Sequence, residues 1–172
     1  MKKQNKNRGY SIIEILVYLA IFTALSIVVI NSFMVILFSF NTTNMNRALL
    51  ESGTIAMERM SREIRQAESI EIGESSFVIS PGVLQLKSTD IENGDPAIVR
   101  FETVNQALHL YKDDNDMGNL LDQNISITNL IFRRISSTNS EAVKIEMTLL
   151  YNRGQMTKSA NFYNTIVLRG GY

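Results

Sequence analysis

From Ile15 to Asn46 the chain carries no charged residue. A run of this length exceeds the roughly 20 residues that cross a hydrocarbon core. Whatever the remainder folds into, this segment needs lipid or protein to cover it. Lys2, Lys3, Lys6 and Arg8 precede it. Such a basic cluster stays cytoplasmic, so the C-terminal bulk is expected on the outer side. One acid, Glu14, stands at the start of the apolar run. A charge at the bilayer centre costs on the order of 2.5–3.5 kcal/mol on insertion scales, and intramembrane acids tend to be functional.

Three readings of this N-terminal region compete. A cleaved secretory signal has an apolar region of about 7–15 residues followed by a small-residue cleavage site. Here the run is much longer and fades into "FNTTNMNRALLESG" with no Ala-x-Ala-like site. An uncleaved anchor fits the length and the charges, with Glu14 solvated at the inner headgroup level. Cleavage between Gly9 and Tyr10 changes the physics. The basic leader is lost, a new α-amine appears at Tyr10, and Glu14 falls one turn into a helix, where the dipole favours an anion. A neighbouring copy's amine then has a carboxylate to pair with inside the apolar layer.

The stretch "RGYSIIEILVYLAIFTALSIVV" resembles the class III signal of type IV pilins and type II secretion pseudopilins. The usual form in that family is Gly, then Phe-Thr-Leu-Ile-Glu, then an apolar helix. Gly9, Tyr10, Ser11, Ile12, Ile13 and Glu14 stand at the corresponding places. The resemblance implies cleavage after Gly9 by a prepilin peptidase and N-methylation of Tyr10. It also implies that Glu14 pairs with another subunit's amine during assembly on an inner-membrane platform.

No proline occurs between Tyr10 and Ala67. Helix interiors exclude proline strongly, so one continuous helix is allowed. At 1.5 Å per residue, a helix over 10–68 spans roughly 85–90 Å, of which a bilayer core uses only about 30 Å. Beyond Asn46 the pattern becomes amphipathic. Leu49, Ala56, Met60, Ile64 and Ala67 recur at spacings of three, four and seven and form one apolar stripe. Glu58 with Arg62, and Arg59 with Glu63, are i,i+4 partners on the polar side. Gly53 weakens a helix by about 1 kcal/mol relative to Ala and is expected to mark a local bend. Met57 and Met60 read as filler of an irregular core.

From Phe77 the period switches to two. The runs "FVIS", "GVLQLKS", "AIVRFE", "ALHLYK", "ISITNLIFRRIS", "EAVKIEMTLLY" and "NFYNTIVLR" are expected strands. "AIVRFE" and "ALHLYK" read as a hairpin, and "NRGQ" supplies a turn. Val143, Ile145, Met147 and Leu149 alternate cleanly with Lys144, Glu146 and Thr148. Half-buried antiparallel strands need a cover, and the amphipathic part of the helix supplies one. The expected fold class is therefore α+β, with a long N-terminal helix packed on an antiparallel β-sheet. The predicted organisation is a basic leader at 1–9, a transmembrane assembly helix at 10–40, its amphipathic continuation at 41–70 and a sheet domain at 71–172. "ALLESGTIAMERMSREIRQA", "ITNLIFRRI" and "EAVKIEMTLLY" are similar to J-type minor pseudopilins and W-type minor pilins. The missing mid-helix proline and the absence of cysteine depart from major pilins and from those closed by a disulfide.

Little material for catalysis is present. There is one histidine, His109, flanked by Leu108 and Leu110 on an expected strand, with no serine, cysteine or second ligand near it in sequence. No Gly-rich phosphate loop, zinc spacing or nucleophile motif occurs. "KDDNDMGNLLD" clusters Asp113, Asp114, Asp116 and Asp122. Calcium takes such ligands, but Met117 falls where an EF-hand needs one, so the stretch reads as a solvated loop with Asp114 and Asp116 the candidate calcium ligands. Zero net charge gives no sign of nucleic acid as a partner. The expected function is a non-enzymatic, cofactor-free minor pilin or pseudopilin subunit near the tip of its filament. It is expected first in the inner (cytoplasmic) membrane with a cytoplasmic N-terminus, then in a pilus or pseudopilus with other subunits. The alternative is a single-pass anchored binding module that does not polymerise.

Overall fold

The computed structural model describes residues 11–89, 94–138, 140–154 and 156–169. Gly9, Tyr10 and the basic leader lie outside them. One α-helix, α1, runs Ile12–Gln66. The chain divides into two compact units between Asn44 and Met45.

The helix begins where the Ser11 carbonyl accepts the amides of Glu14 at 3.0 Å and Ile15 at 3.3 Å. Glu14 in its first turn and Arg65 in its last both complement the macrodipole. It stops because a strand captures the chain. The amide of Glu68 donates to the Lys87 carbonyl at 2.8 Å, and that of Glu71 to Gln85 at 2.9 Å.

The second unit is α+β, with the helix packed on antiparallel sheet, consistent with a pilin-like fold. The strands form two sheets. The first orders β1 (Ser69–Ile70), β2 (Leu84–Thr89), β3 (Pro96–Val104), β4 (Ala107–Lys112) and β5 (Asn115–Asn119) as a meander. The second orders β6 (Ile125–Ser136), β7 (Glu141–Arg153) and β8 (Met156–Val167). All pairs are antiparallel. The expected hairpin is β3–β4. Its two-residue turn has Asn105 at φ 50° and Gln106 at φ 64°, the left-handed pair that matches strand twist.

The stripe read from the sequence is the buried face of the helix. Leu49 is 1% exposed, and Ala56, Met60, Ile64 and Ala67 are fully buried. Opposite them, Val143, Ile145, Met147 and Leu149 of β7 are at most 1% exposed. Each large side chain so buried contributes roughly 1.5–3 kcal/mol. Phe101 of β3 and Phe132 of β6 bring both sheets into one core.

Two expectations are corrected, and the place of Gly53 gains a reason. "FVIS" is not a strand: Val78 sits at φ 63°, a left-handed conformation that breaks extended pairing. The segment instead hangs on β6, through Val78 N–H to the Phe132 carbonyl at 3.0 Å and Gly82 N–H to Leu130 at 2.8 Å. The aspartate-rich loop contains β5, brought back onto β4 by a turn with Asp113 at φ 50° and Asp114 at φ 62°. Gly53 marks no break in α1. It is a point of close approach, since a Cβ there would stand 2.1 Å from Phe162 Cζ.

Candidate functional site

Residues 12–44 form helix throughout, and their large apolar side chains are exposed among the described residues. Ile12 is 79% exposed, Phe22 67% and Phe40 64%. The most apolar window has a mean hydropathy of 2.6, so the segment is long and apolar enough to cross a membrane. Five of its hydroxyls find partners within the helix. Ser26, Ser32, Thr42 and Thr43 each donate to the carbonyl four residues back, at 2.8–2.9 Å, and Thr23 to that of Ala20 at 2.9 Å. Internal satisfaction of this kind is what an apolar surrounding demands of a helix.

Glu14 is the one charged group on this surface. It lies half-exposed in the first turn, and the Tyr18 hydroxyl donates to its Oε1 at 3.1 Å. That contact leaves the second carboxylate oxygen for another partner. The i,i+4 spacing of Glu14 and Tyr18 is readable in the sequence, and it is the signal by which this partner can be found.

His109, Asp113, Asp114 and Asp116 gather along the five-stranded sheet, while Asp122 lies in the connection between β5 and β6. His109 Nδ1 lies 2.9 Å from Asp116 Oδ2, across the β4–β5 pair. The His109 ring stacks beside Tyr111, with centroids 6.2 Å apart. Arg100 covers the other part of this ladder, 4.8 Å from the Tyr111 centroid and 3.5 Å from Asp114. The Gly118 amide, and then His109, hold the Asp116 carboxyl below its usual range. Its half-buried position, and then Asp116 and Glu102, push the Tyr111 hydroxyl up.

Three of the four clustered aspartates have partners within the chain. Asp113 caps the Ile98 amide at 2.8 Å, Asp114 faces Arg100 and Asp116 faces His109. Among the described residues no three of His, Cys, Asp or Glu converge to hold a metal ion. Of the two helical ion pairs expected, Arg59–Glu63 forms at 2.9 Å. Glu58 and Arg62 instead line a depression of about 700 Å³ beside Phe162 and Asn164. No protein-family model, curated protein or solved structure matches the chain.

Proposed function

We propose that this chain is a prepilin-like minor subunit of a type IV pilus or type II secretion pseudopilus. A prepilin peptidase cuts after Gly9, Tyr10 becomes the N-methylated first residue, and the apolar helix carries the subunit from the inner membrane into the filament. There it joins other subunits near the tip and helps to start assembly. Its role is structural, with no cofactor and no catalytic group.

The observation that carries this reading is a helix whose large apolar side chains are exposed among the described residues and whose one charge is a first-turn carboxylate. A fixed anchor accounts for the exposed surface, which lipid would cover. Among the described residues the only side chain bonded to Glu14 is its own neighbour Tyr18. A cleaved subunit gives it a further partner, the α-amine of another copy. Removing one member of a buried charge pair costs about 2–5 kcal/mol.

The test is Glu14→Ala in cells that assemble the filament. Membrane insertion and leader cleavage are expected to persist, while recovery of the subunit in sheared filaments falls on the order of tenfold or more. Normal incorporation of the variant would remove the pairing role given to the carboxylate; absence of the wild-type chain from the filaments would favour the anchored, non-polymerising module.

A further inference from the structure

Strand β8 closes one side of its sheet and has no neighbour on the other among the described residues. The direction of its free groups follows from one bond. Leu168 N–H donates to the Glu141 carbonyl at 2.9 Å, so even-numbered residues of β8 exchange bonds with β7. Odd-numbered residues then turn their amides and carbonyls outward. The Thr165 amide is turned out and is taken by its neighbour Asn164, whose Oδ1 lies 2.9 Å away. The open run is therefore Ser159, Asn161 and Tyr163.

Natural edge strands are blunted by charge, proline or bulges. This one is not. From Ser159 to Leu168 there is no charge, proline or glycine, and the β7–β8 register runs without a shift from end to end. Beside the edge lies the depression of about 700 Å³, between α1 and the strand. Met57 and Phe162 give it apolar walls; Glu58, Arg62 and Arg65 give it a net positive charge. A strand laid against β8 aims every second side chain to the side that Phe162 and Asn164 occupy, which is the side of this depression.

We infer that the free edge of β8 receives an extended, acidic segment of a partner chain as an added strand. Its apolar side chains enter the groove, and a carboxylate meets Arg62 and Arg65. Main-chain bonds supply affinity in this mode, and the pocket beside the edge supplies selectivity. A second copy fits less well by charge. The groove-side residues of its β8 are Lys158, Ala160, Phe162 and Asn164, with no acid among them. The surface belongs wholly to residues 45–169 and does not depend on how the apolar helix assembles.

The experiment uses the full chain in detergent micelles and a fluorescein-labelled peptide, Val-Thr-Glu-Thr-Val-Thr-Glu, with the Lys-for-Glu peptide as its control. Saturable binding of the acidic peptide is expected, at least about tenfold tighter than the basic one. Hydrogen exchange at Asn161 and Tyr163 is expected to slow on binding. Tyr163→Pro removes an outward amide without touching the β7 ladder; it is expected to abolish binding while exchange along β7 stays slow. Arg62→Glu with Arg65→Glu, both at exposed positions, is expected to reverse the peptide preference. Failure of the acidic peptide to saturate, or binding indifferent to Tyr163→Pro, overturns the proposal. So does concentration-dependent protection of Asn161 without peptide, which would make a second copy the occupant.

Discussion

Gly53 and Phe162 meet so closely that substituting one should report on the other. A Cβ at Gly53 would stand 2.1 Å from Phe162 Cζ, and 2.5 and 2.6 Å from Cε2 and Cε1. Ordinary contact begins near 3.4 Å, so the ring tip must retreat by roughly 1 Å. Gly→Ala in a helix gains about 1 kcal/mol, while overfilling a packed site costs about 1–3 kcal/mol. The balance for Gly53→Ala is a loss of about 1 kcal/mol. In a Phe162→Ala background the obstruction is gone and the same substitution gains about 1 kcal/mol. The coupling energy is then about 2 kcal/mol. Urea unfolding followed by tyrosine fluorescence reads it, since 1 kcal/mol moves a midpoint by roughly 0.5 M. If Gly53→Ala has the same effect with and without the Phe162 ring, the glycine is not there to admit it.

Two further outcomes follow from the second unit. Asn164 Nδ2 donates to Ser61 Oγ at 3.0 Å, joining β8 to α1, and Ser61 is 7% exposed; Asn164→Ala is expected to cost about 1 kcal/mol in the same unfolding assay. The carboxyl of Glu146 is held below its usual range by Arg133 and then Lys144, and that of Asp116 by the Gly118 amide and then His109. A depressed folded value stabilises above the unfolded one and is lost as pH falls through the folded one. Stability is therefore expected to decline below the ordinary carboxylate range, and Glu146→Gln with Asp116→Asn to flatten that decline in acid titrations of the unfolding midpoint.

How far the fold was legible varied with the kind of interaction. The Leu49-to-Ala67 stripe and the alternation of β7 were readable because each reflects one-sided burial along a regular element. "FVIS" shows the same apolar character, yet it is not a strand, because Val78 is turned left-handed and only single bonds tie the segment to β6. β5 has the opposite history. "NDMGN" shows no apolar alternation and is a strand only because the Asp113–Asp114 turn lays it on β4. The division of the strands into two sheets depends on which distant edges meet, and no local pattern records that. Gly53 looked like a weakness in the helix until the ring that fills the space was placed beside it. At the N-terminus Glu14 stood out from composition alone, and the sequence spacing also contained its Tyr18 donor. The ladder of Arg100, His109, Tyr111 and Asp116 required the strand register.

The central claim is that the chain works as a cut and assembled subunit, so its mature N-terminus is the direct test. Mass spectrometry of the N-terminal peptide from the assembled, functional form is expected to show a chain that begins at N-methylated Tyr10. An intact leader from Met1 to Arg8 in that form would contradict the account, and the role given to Glu14 would go with it.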